Sequence, residues 1–484
     1  MREKKTTARP STPLPNERSP KRRNKKNNKI YKRMKKYLTL LAGAMFLTAC
    51  YNDADDIASK DGYQPSTDAI AFEFNEDGVE NSVTRASGAI FNDDELKAGI
   101  GVFAAYTGKL KYENTTVKSD FMWNQKVTGT GTAPDITWAY NPVKYWPNAL
   151  ADTPEFLSFF AYAPYKAKED LVDDGQGGII DISANNVTGD PWVNFRIAKY
   201  PWPEWDYSDS DEANWAVAHP ANQIDLLYGT KYTPAAGSNP EKWESWTNVS
   251  KFKTDGTINT GVAGLEDKVK FTMKHALASI GNEITIKTST ELNSLISSYS
   301  EIEVYGIKIE YNNLTTKGRL ILNSDDGTVQ WKEIISGELT TNRTYLNMFK
   351  NADVMKFDGS STDAKHIHYL NAVADYASNP APVAESIEGD GLFYIPMQIA
   401  GTPKATVTVT LYYRVHILGA NVYKPLMSEA PAEATKTFDL KVNDTMAGKK
   451  QGLTLTLGKD YDLMHEVWTL GGTASEPSYS RELK

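Results

Sequence analysis

From Thr406 to Ile417 the chain alternates without interruption, with Val407, Val409, Leu411, Tyr413, Val415 and Ile417 on one parity and Thr406, Thr408, Thr410, Tyr412, Arg414 and His416 on the other. A period of two is a strand period, because successive side chains of an extended chain point to opposite faces. The segment is therefore expected to lay one face on a core and turn the other toward water. The alternation returns at Phe438, Leu440 and Val442, and again at Leu453, Leu455 and Leu457. Near Tyr305 the parity switches: Ile302 and Val304 precede it, Ile307 and Ile309 continue its own register, and Gly306 beside the switch suggests a β-bulge. Helical periodicity is nearly absent, with Thr290 to Tyr299 the best short candidate. Many strands punctuated by turns, with almost no helix, predict an all-β fold of two tandem antiparallel β-sandwich domains.

The first half carries shorter apolar runs separated by Pro- and Gly-bearing turns. They are Ile100 to Ala104, Phe121 to Trp123, Phe156 to Tyr162, Val193 to Ile197 and Ile224 to Tyr228. Between Tyr232 and Gly264 the composition shifts to Pro, Ala, Gly, Ser, Asn and Thr, and the second half opens with Val269 to Ile286. A length of 484 residues suits two domains, which places an N-terminal sandwich at 86–264 and a C-terminal one at 265–484. A formal net charge of −8 repels phosphate backbones, so no nucleic acid is expected as a partner of the body.

The N-terminal segments have a different character. Residues 1–33 hold a basic run, Lys21, Arg22, Arg23, Lys25 and Lys26, which is either a basic arm or an extension ahead of the true start at Met34. Met34-Lys35-Lys36, the apolar run Tyr37 to Leu47 and then Leu47-Thr48-Ala49-Cys50 form a charged n-region, an h-region and a small-residue cleavage site. The apolar run is too short to cross a bilayer core of about 30 Å as a helix. Residues 34–50 resemble a lipoprotein signal with its lipobox, and in bacterial lipoproteins the Cys at this position is lipidated. Cys50 is the single cysteine of the chain, so no intramolecular disulfide is expected. The acidic cluster Asn52-Asp53-Ala54-Asp55-Asp56 either solvates a tether or resembles the surface-export signal of Bacteroidetes lipoproteins. Ile70, Phe72 and Phe74 then share one parity, a short half-buried strand. A turn-prone stretch from Asn75 to Thr84 follows it and ends at Arg85, the kind of exposed segment where proteases cut.

Several strings in order resemble the fimbrillin family of Bacteroidetes pilus proteins. They are Thr84-Arg85-Ala86, Phe91 with Ile100-Gly101-Val102-Phe103-Ala104, Trp138-Ala139-Tyr140-Asn141-Pro142 running into Lys144-Tyr145-Trp146-Pro147, Leu157 to Tyr165, Lys274 to Ile280, and Leu392 to Gln398. The resemblance covers residues 84 to 457 and departs from the family in the Trp-rich stretch from Trp192 to Trp246 and at the C-terminal end. It implies two transthyretin-like (Greek-key) domains, export as a lipoprotein with a palmitate-type anchor on Cys50 in the outer membrane, and arginine-specific cleavage between Arg85 and Ala86. It further implies that residues 51–85 form a tether and propeptide in which Ile70, Phe72 and Phe74 plug a groove. A strand from another fimbrial subunit would later fill that groove by β-strand addition, placing the protein in a cell-surface fimbrium that adheres to a host or bacterial ligand, protein or glycan. The alternative reading of Val83-Thr84-Arg85 is an uncut linker to the lipid anchor. Val467, Trp468 and Leu470 are apolar enough either to close the last sheet or to leave it.

Trp192, Trp202, Trp205, Trp215, Trp243 and Trp246 cluster in one Pro- and Asp-rich region. Exposed indoles would make a platform for a partner or a glycan, whereas buried ones would pack an insertion onto its own domain. On the first reading the chain is a glycan-binding surface lipoprotein that never polymerises. Asp206, Asp209, Asp211 and Glu212 lack the Gly and bidentate Glu spacing of a calcium loop, and a solvated acidic loop is the simpler reading. His366 and His368 share a strand face but have no identifiable third ligand; His275 and His416 read as structural. Gly175-Gln176-Gly177-Gly178 lacks a strand-to-helix context and reads as a hairpin turn. No nucleophile elbow, cysteine nucleophile or zincin helix is visible, so no enzyme, cofactor or metal is expected.

Overall fold

Every position of Phe156–Ala163 after Phe156 is buried, which requires packing on both faces of that strand and explains a continuous apolar run where a one-faced strand would alternate. The computed structural model describes residues 63, 65–76, 93–113, 119–132, 135–147, 155–167, 180–182, 189–197, 224–251, 268–296, 300–348, 355–357, 365–367, 392–417, 422–424 and 432–470.

The first half comprises β1 (Pro65–Ala69), β2 (Phe72–Glu76), α1 (Asp93–Ala98), β3 (Ile100–Gly108), β4 (Met122–Thr130), β5 (Thr137–Tyr140) and β6 (Tyr145–Pro147). It continues with β7 (Phe156–Ala163), β8 (Ile180–Asp181), β9 (Trp192–Arg196), β10 (Leu227–Thr233), β11 (Lys242–Glu244), β12 (Trp246–Val249) and β13 (Val269–His275). The second half holds β14 (Ala278–Thr288), α2 (Thr290–Leu295), β15 (Ser300–Thr315), β16 (Lys317–Ile321), β17 (Gln330–Glu333), β18 (Thr340–Met348) and β19 (Met355–Phe357). The remaining strands are β20 (Lys365–Ile367), β21 (Leu392–Tyr394), β22 (Thr406–Ile417), β23 (Val422–Lys424), β24 (Ala432–Asp439), β25 (Lys450–Leu457) and β26 (Leu463–Leu470).

The fold is almost all β. A sandwich in the second half places a five-stranded sheet, with β14, β25 and β26 at its centre and edge, against a six-stranded sheet built on β15 and β22. Ile284, Ile286, Leu453 and Leu455 from the first meet Ile309, Val407, Val409 and Leu411 from the second in one core. Each such side chain contributes about 1.5–3 kcal/mol by leaving water. The apolar parity of β22 is thus the core parity, while on its other face Thr408 and Thr410 pair across to Thr437 and Thr435 at 2.9 and 3.1 Å. The bulge expected at Gly306 is present: Val304 faces Tyr413 and Gly306 faces Tyr412, which leaves Tyr305 as the extra residue. The short helical candidate is α2, capped by Ser289, whose side chain accepts from the Leu292 amide at 3.1 Å. The helix α1 carries no strong periodic signal and was not expected. Among the described residues no helix is long and apolar enough to cross a membrane.

Three features depart from the sequence expectation. The sheets are mixed, since β13 pairs β2, and β14 pairs β25, in parallel. The run Val269 to Ile286, expected as the opening of the second domain, breaks at Ala276-Leu277 into two strands of different sheets. Its first part, β13, hydrogen-bonds β10 and β2 in the nine-stranded sheet of the first half, ordered β2-β13-β10-β7-β3-β4-β5. A four-stranded sheet, β17-β16-β9-β8, also joins strands from both halves. Under it Phe103, Phe160 and Tyr162 share a core with Leu320, Leu322 and Phe393. Residues Gly62–Lys484 accordingly form one compact unit. The stretch 232–264, whose composition suggested a boundary, contains β11 and β12 of the first half; strand pairing is decided by long-range register, which composition does not encode.

Candidate functional site

Residues 63–76 are built into the first half as a structural element. Tyr63 donates its hydroxyl to the Tyr145 carbonyl at 2.8 Å and sets its ring edge-on to Tyr106 and Phe121, 5.2 and 5.5 Å between centroids. β1 then pairs antiparallel with β6, Pro65 opposite Pro147 and Ala69 opposite Tyr145. At Ile70, where a continuous strand was expected, the chain passes from one sheet to another. The Ile70 amide donates to the Lys144 carbonyl at 2.9 Å and the Ile70 carbonyl accepts from the Tyr140 hydroxyl at 2.8 Å. One residue later the Ala71 carbonyl accepts from the Val269 amide at 2.8 Å, and β2 runs on along β13 with Phe72 opposite Val269 and Phe74 opposite Phe271.

The nine-stranded sheet curls so that its two ends meet over these side chains. β2 lies at one end and β5 at the other, yet Phe74 lies edge-on to Trp138 of β5 at 4.9 Å and Phe72 packs on Tyr140 at 5.4 Å. Phe159 of β7 and Phe271 of β13 complete the aromatic interior around Phe72. Ile70, Phe72 and Phe74 are 2, 3 and 3 % exposed. At about 1.5–3 kcal/mol each, their burial stabilises the seated segment by roughly 5–9 kcal/mol before the entropy of ordering it is subtracted. Two ion pairs border it, Asp68 with Lys251 and Glu73 with Lys268, both at 3.4 Å; at partly exposed positions each adds at most about 1 kcal/mol.

Trp146 of β6 is 1 % exposed and packs on Phe159 at 5.6 Å, but its indole N–H has no hydrogen-bond partner among the described residues. Burial also pushes the Tyr63 and Tyr140 hydroxyls up from 10.0 to about 12, so both are protonated donors at neutral pH. In its arrangement the site is an edge strand paired to one neighbouring strand, with its side chains under the opposite end of the same sheet. Without β2, the β13 edge and the rings of Phe159, Phe271 and Trp138 would face water, a surface that templates another strand.

Trp192 and Trp246 are buried and belong to no exposed platform. Trp192 is 4 % exposed with the Arg319 guanidinium 3.8 Å from its ring centre. Trp246 is 1 % exposed and donates to the Lys270 carbonyl at 2.9 Å. Neither can present its face to a sugar or a partner, which corrects that expectation for these two; they staple strands of the body instead. Trp243 is half-buried, its ring 4.4 Å from that of Tyr232 and tilted 38° to it, with the Lys274 ammonium 4.1 Å over its ring. Cys50, Arg85, Ala86, Trp202, Trp205, Trp215, the acidic loop 206–212, His368 and the glycine run 175–178 lie outside the described residues. His366 sits in β20 opposite Thr285, His275 contacts Asp225 at 2.6 Å, and among the described residues no cluster of three or more potential metal ligands occurs. At the C-terminal end β26 remains paired along β25 as the edge of its sheet.

Sequence reasoning identified Ile70, Phe72 and Phe74 as a buried set but not the groups they meet, Trp138, Tyr140, Lys144 and Phe271. A signal for two of them was present: Tyr140-Asn141-Pro142-Val143-Lys144 and Tyr162-Ala163-Pro164-Tyr165-Lys166 repeat one pattern.

No family model matches the chain. It is similar to the fimbrium subunit Fim1C of Phocaeicola vulgatus, 25% identical over 253 residues, which is 52% of this chain and 52% of that protein. The chain thus matches about half the length of this curated relative, and the sequence resemblance to fimbrial subunits is met by a relative of that description. Among solved structures, a fimbrial protein from Bacteroides vulgatus ATCC 8482 aligns with a TM-score of 0.48 and 19% identity, covering 84% of this chain and 99% of that one.

Proposed function

We propose that this chain, a relative of a fimbrium subunit, is itself a subunit of a surface fimbrium that is assembled by strand exchange at the β2 site and serves adhesion rather than catalysis. The observation that carries the reading is the seat of β2: a segment ahead of the body, paired on one side to β13 and buried through Ile70, Phe72 and Phe74. Such a segment keeps a sticky edge covered until it is removed, and the vacated groove then accepts an equivalent strand from a neighbouring subunit. In this scheme the precursor is exported as a lipoprotein through Cys50 and held at the outer membrane. Cleavage between Arg85 and Ala86 separates the leader from the body, and the body joins other subunits.

The test is treatment of the folded precursor with an arginine-specific protease, followed by N-terminal sequencing and size-exclusion chromatography. A stable fragment beginning at Ala86 that loses the leader and forms multimers is expected. Indiscriminate degradation, or a body that remains monomeric after losing residues 63–76, would sink the proposal.

A second reading, a glycan-binding surface lipoprotein that does not polymerise, draws support from the tilted Tyr232–Trp243 ring pair, where Tyr232 is 38 % exposed. A glycan array comparing the native chain with Trp243→Ala separates it from the first: binding lost in the variant favours it, and no binding by the native chain ends it.

A further inference from the structure

The repeated Tyr-x-Pro-x-Lys pattern folds into two corners of the same geometry with different third partners. In the second corner the Lys166 amide donates to the Tyr162 hydroxyl oxygen at 3.2 Å, that hydroxyl lies 3.3 Å from the Lys166 carbonyl, and it reaches the Asn124 side-chain oxygen at 2.8 Å. In the first corner the Lys144 amide donates to the Tyr140 hydroxyl oxygen at 3.3 Å, and the hydroxyl lies 3.3 Å from the Lys144 carbonyl. A phenol has one proton, and the shortest acceptor takes it. For Tyr162 that acceptor belongs to the body. For Tyr140 it is the backbone carbonyl of Ile70, 2.8 Å away, and the Lys144 carbonyl takes the Ile70 amide at 2.9 Å. One corner braces the fold, and the other grips both backbone groups of one leader residue.

We propose that the Tyr140–Lys144 corner is a backbone clamp that sets the register of any strand occupying the β2 site. Its occupants are the leader in the precursor and, in the assembled state, an extended strand of another subunit with an aliphatic residue at the clamped position and large apolar residues two and four positions later. The inference rests on the strand-exchange reading given above. Its physical necessity comes from the ladder on β13, which repeats every two residues. A slip by one residue would turn Phe72 and Phe74 outward and is excluded by burial, but a slip by two keeps the same face inward and leaves the ladder intact. Alternation alone therefore does not define the register. A single hydroxyl and a single carbonyl at the point where the chain leaves β6 for β13 do define it, because they accommodate one residue.

The clamp is tested in the full-length chain by hydrogen exchange over residues 65–76, comparing Tyr140→Phe with Tyr162→Phe. Phenylalanine keeps the ring packed on Phe72 and removes only the hydroxyl. Tyr140→Phe should speed exchange in 65–76 by roughly five- to tenfold, the effect of losing one buried hydrogen bond, without matching acceleration in β22; Tyr162→Phe should loosen β4 and β7 instead. Unchanged leader exchange in Tyr140→Phe would overturn the clamp. A second measurement follows the chain nicked at Arg85 and chased with a synthetic peptide of residues 65–76, or with its analogue in which the Ile70–Ala71 amide is an ester and the Ile70 carbonyl a poorer acceptor. The native body should prefer the amide peptide several-fold, and Tyr140→Phe should lose most of that preference; equal uptake of both by the native body refutes the clamp as a receptor for incoming strands. Uptake of neither peptide would count against strand exchange itself, while the exchange rates of the un-nicked chain still decide whether the leader is clamped.

Discussion

Phe74 and Phe271 are register partners on parallel strands, and their rings lie 5.4 Å apart and 6° from parallel. This pair joins a leader residue to a strand nearly two hundred positions further along the chain, and makes completion of the first sheet depend on a segment that precedes the body.

Phe72→Ala and Phe74→Ala should each destabilise the seated leader by about 3–5 kcal/mol, the usual range for emptying an aromatic site in a core. Since their rings are 5.9 Å apart, the double variant should fall short of the sum. Urea titration with hydrogen exchange is expected to show the loss as local release of 65–76; retention of native protection there by the double variant would argue against the edge-strand role.

Trp146→Phe and Trp246→Phe should differ although both indoles are 1 % exposed. The first removes an N–H that has no partner among the described residues, so relief of a desolvation penalty of about 1–3 kcal/mol offsets the lost volume and the net change stays within about 1 kcal/mol. The second breaks the bond to the Lys270 carbonyl and the Lys231 contact at 5.0 Å, and should cost about 2–3 kcal/mol. Paired chemical-denaturation midpoints check the contrast, and equal losses would contradict it.

Gly101 on β3 is a close-approach glycine. A Cβ there would overlap the Tyr162 ring and come 2.8 Å from the Asn124 side-chain oxygen, two members of the bracing corner. Gly101→Ala is expected to lower stability by about 1–3 kcal/mol through overpacking, with loss of near-ultraviolet tyrosine dichroism before loss of strand content. A native-like melting temperature would show that the corner tolerates displacement.

At alkaline pH the β2 site should loosen together with the rest of the tyrosine-rich interior. Burial holds the Tyr63 and Tyr140 hydroxyls protonated up to about 12, against 10.0 in the unfolded chain, and raises those of Tyr106, Tyr112 and Tyr162 as well. The folded state therefore keeps protons that the unfolded state releases: the stabilisation from Tyr63 and Tyr140 is full below pH 10 and is lost as pH rises from 10 towards 12. Urea midpoints should decline across that window, and Tyr140→Phe should decline less steeply because one of the contributing groups is gone. Equal slopes for the two proteins would contradict this assignment.

Much of the fold was legible locally. The alternation in β22 names its core residues one by one, the parity switch locates the Tyr305 bulge, and the common parity of Ile70, Phe72 and Phe74 marks them as a buried set even though a sheet-to-sheet crossing falls between Ile70 and Phe72. The receptors of that set were not legible. Trp138 and Tyr140 read as part of an aromatic string, and nothing near them in sequence indicates that the far end of the sheet curls over to meet β2. Of the two readings open for the tryptophan cluster, an exposed platform or aromatics packed onto their own domain, Trp192 and Trp246 follow the second, buried in separate strands.

The sequence by itself marked several of the strands and, in β22, the side that faces a core, because those follow from a two-residue period and the transfer of apolar groups out of water. The tertiary structure alone decided which strands are neighbours, that β13 completes the first sheet, that β2 and β25 run parallel to their partners, and that one of two identical corners grips the leader. The physical reason is that a ladder of backbone hydrogen bonds is chemically the same for every pair of strands; the choice among them is made by long-range packing, which is a property of the whole chain and not of any window within it.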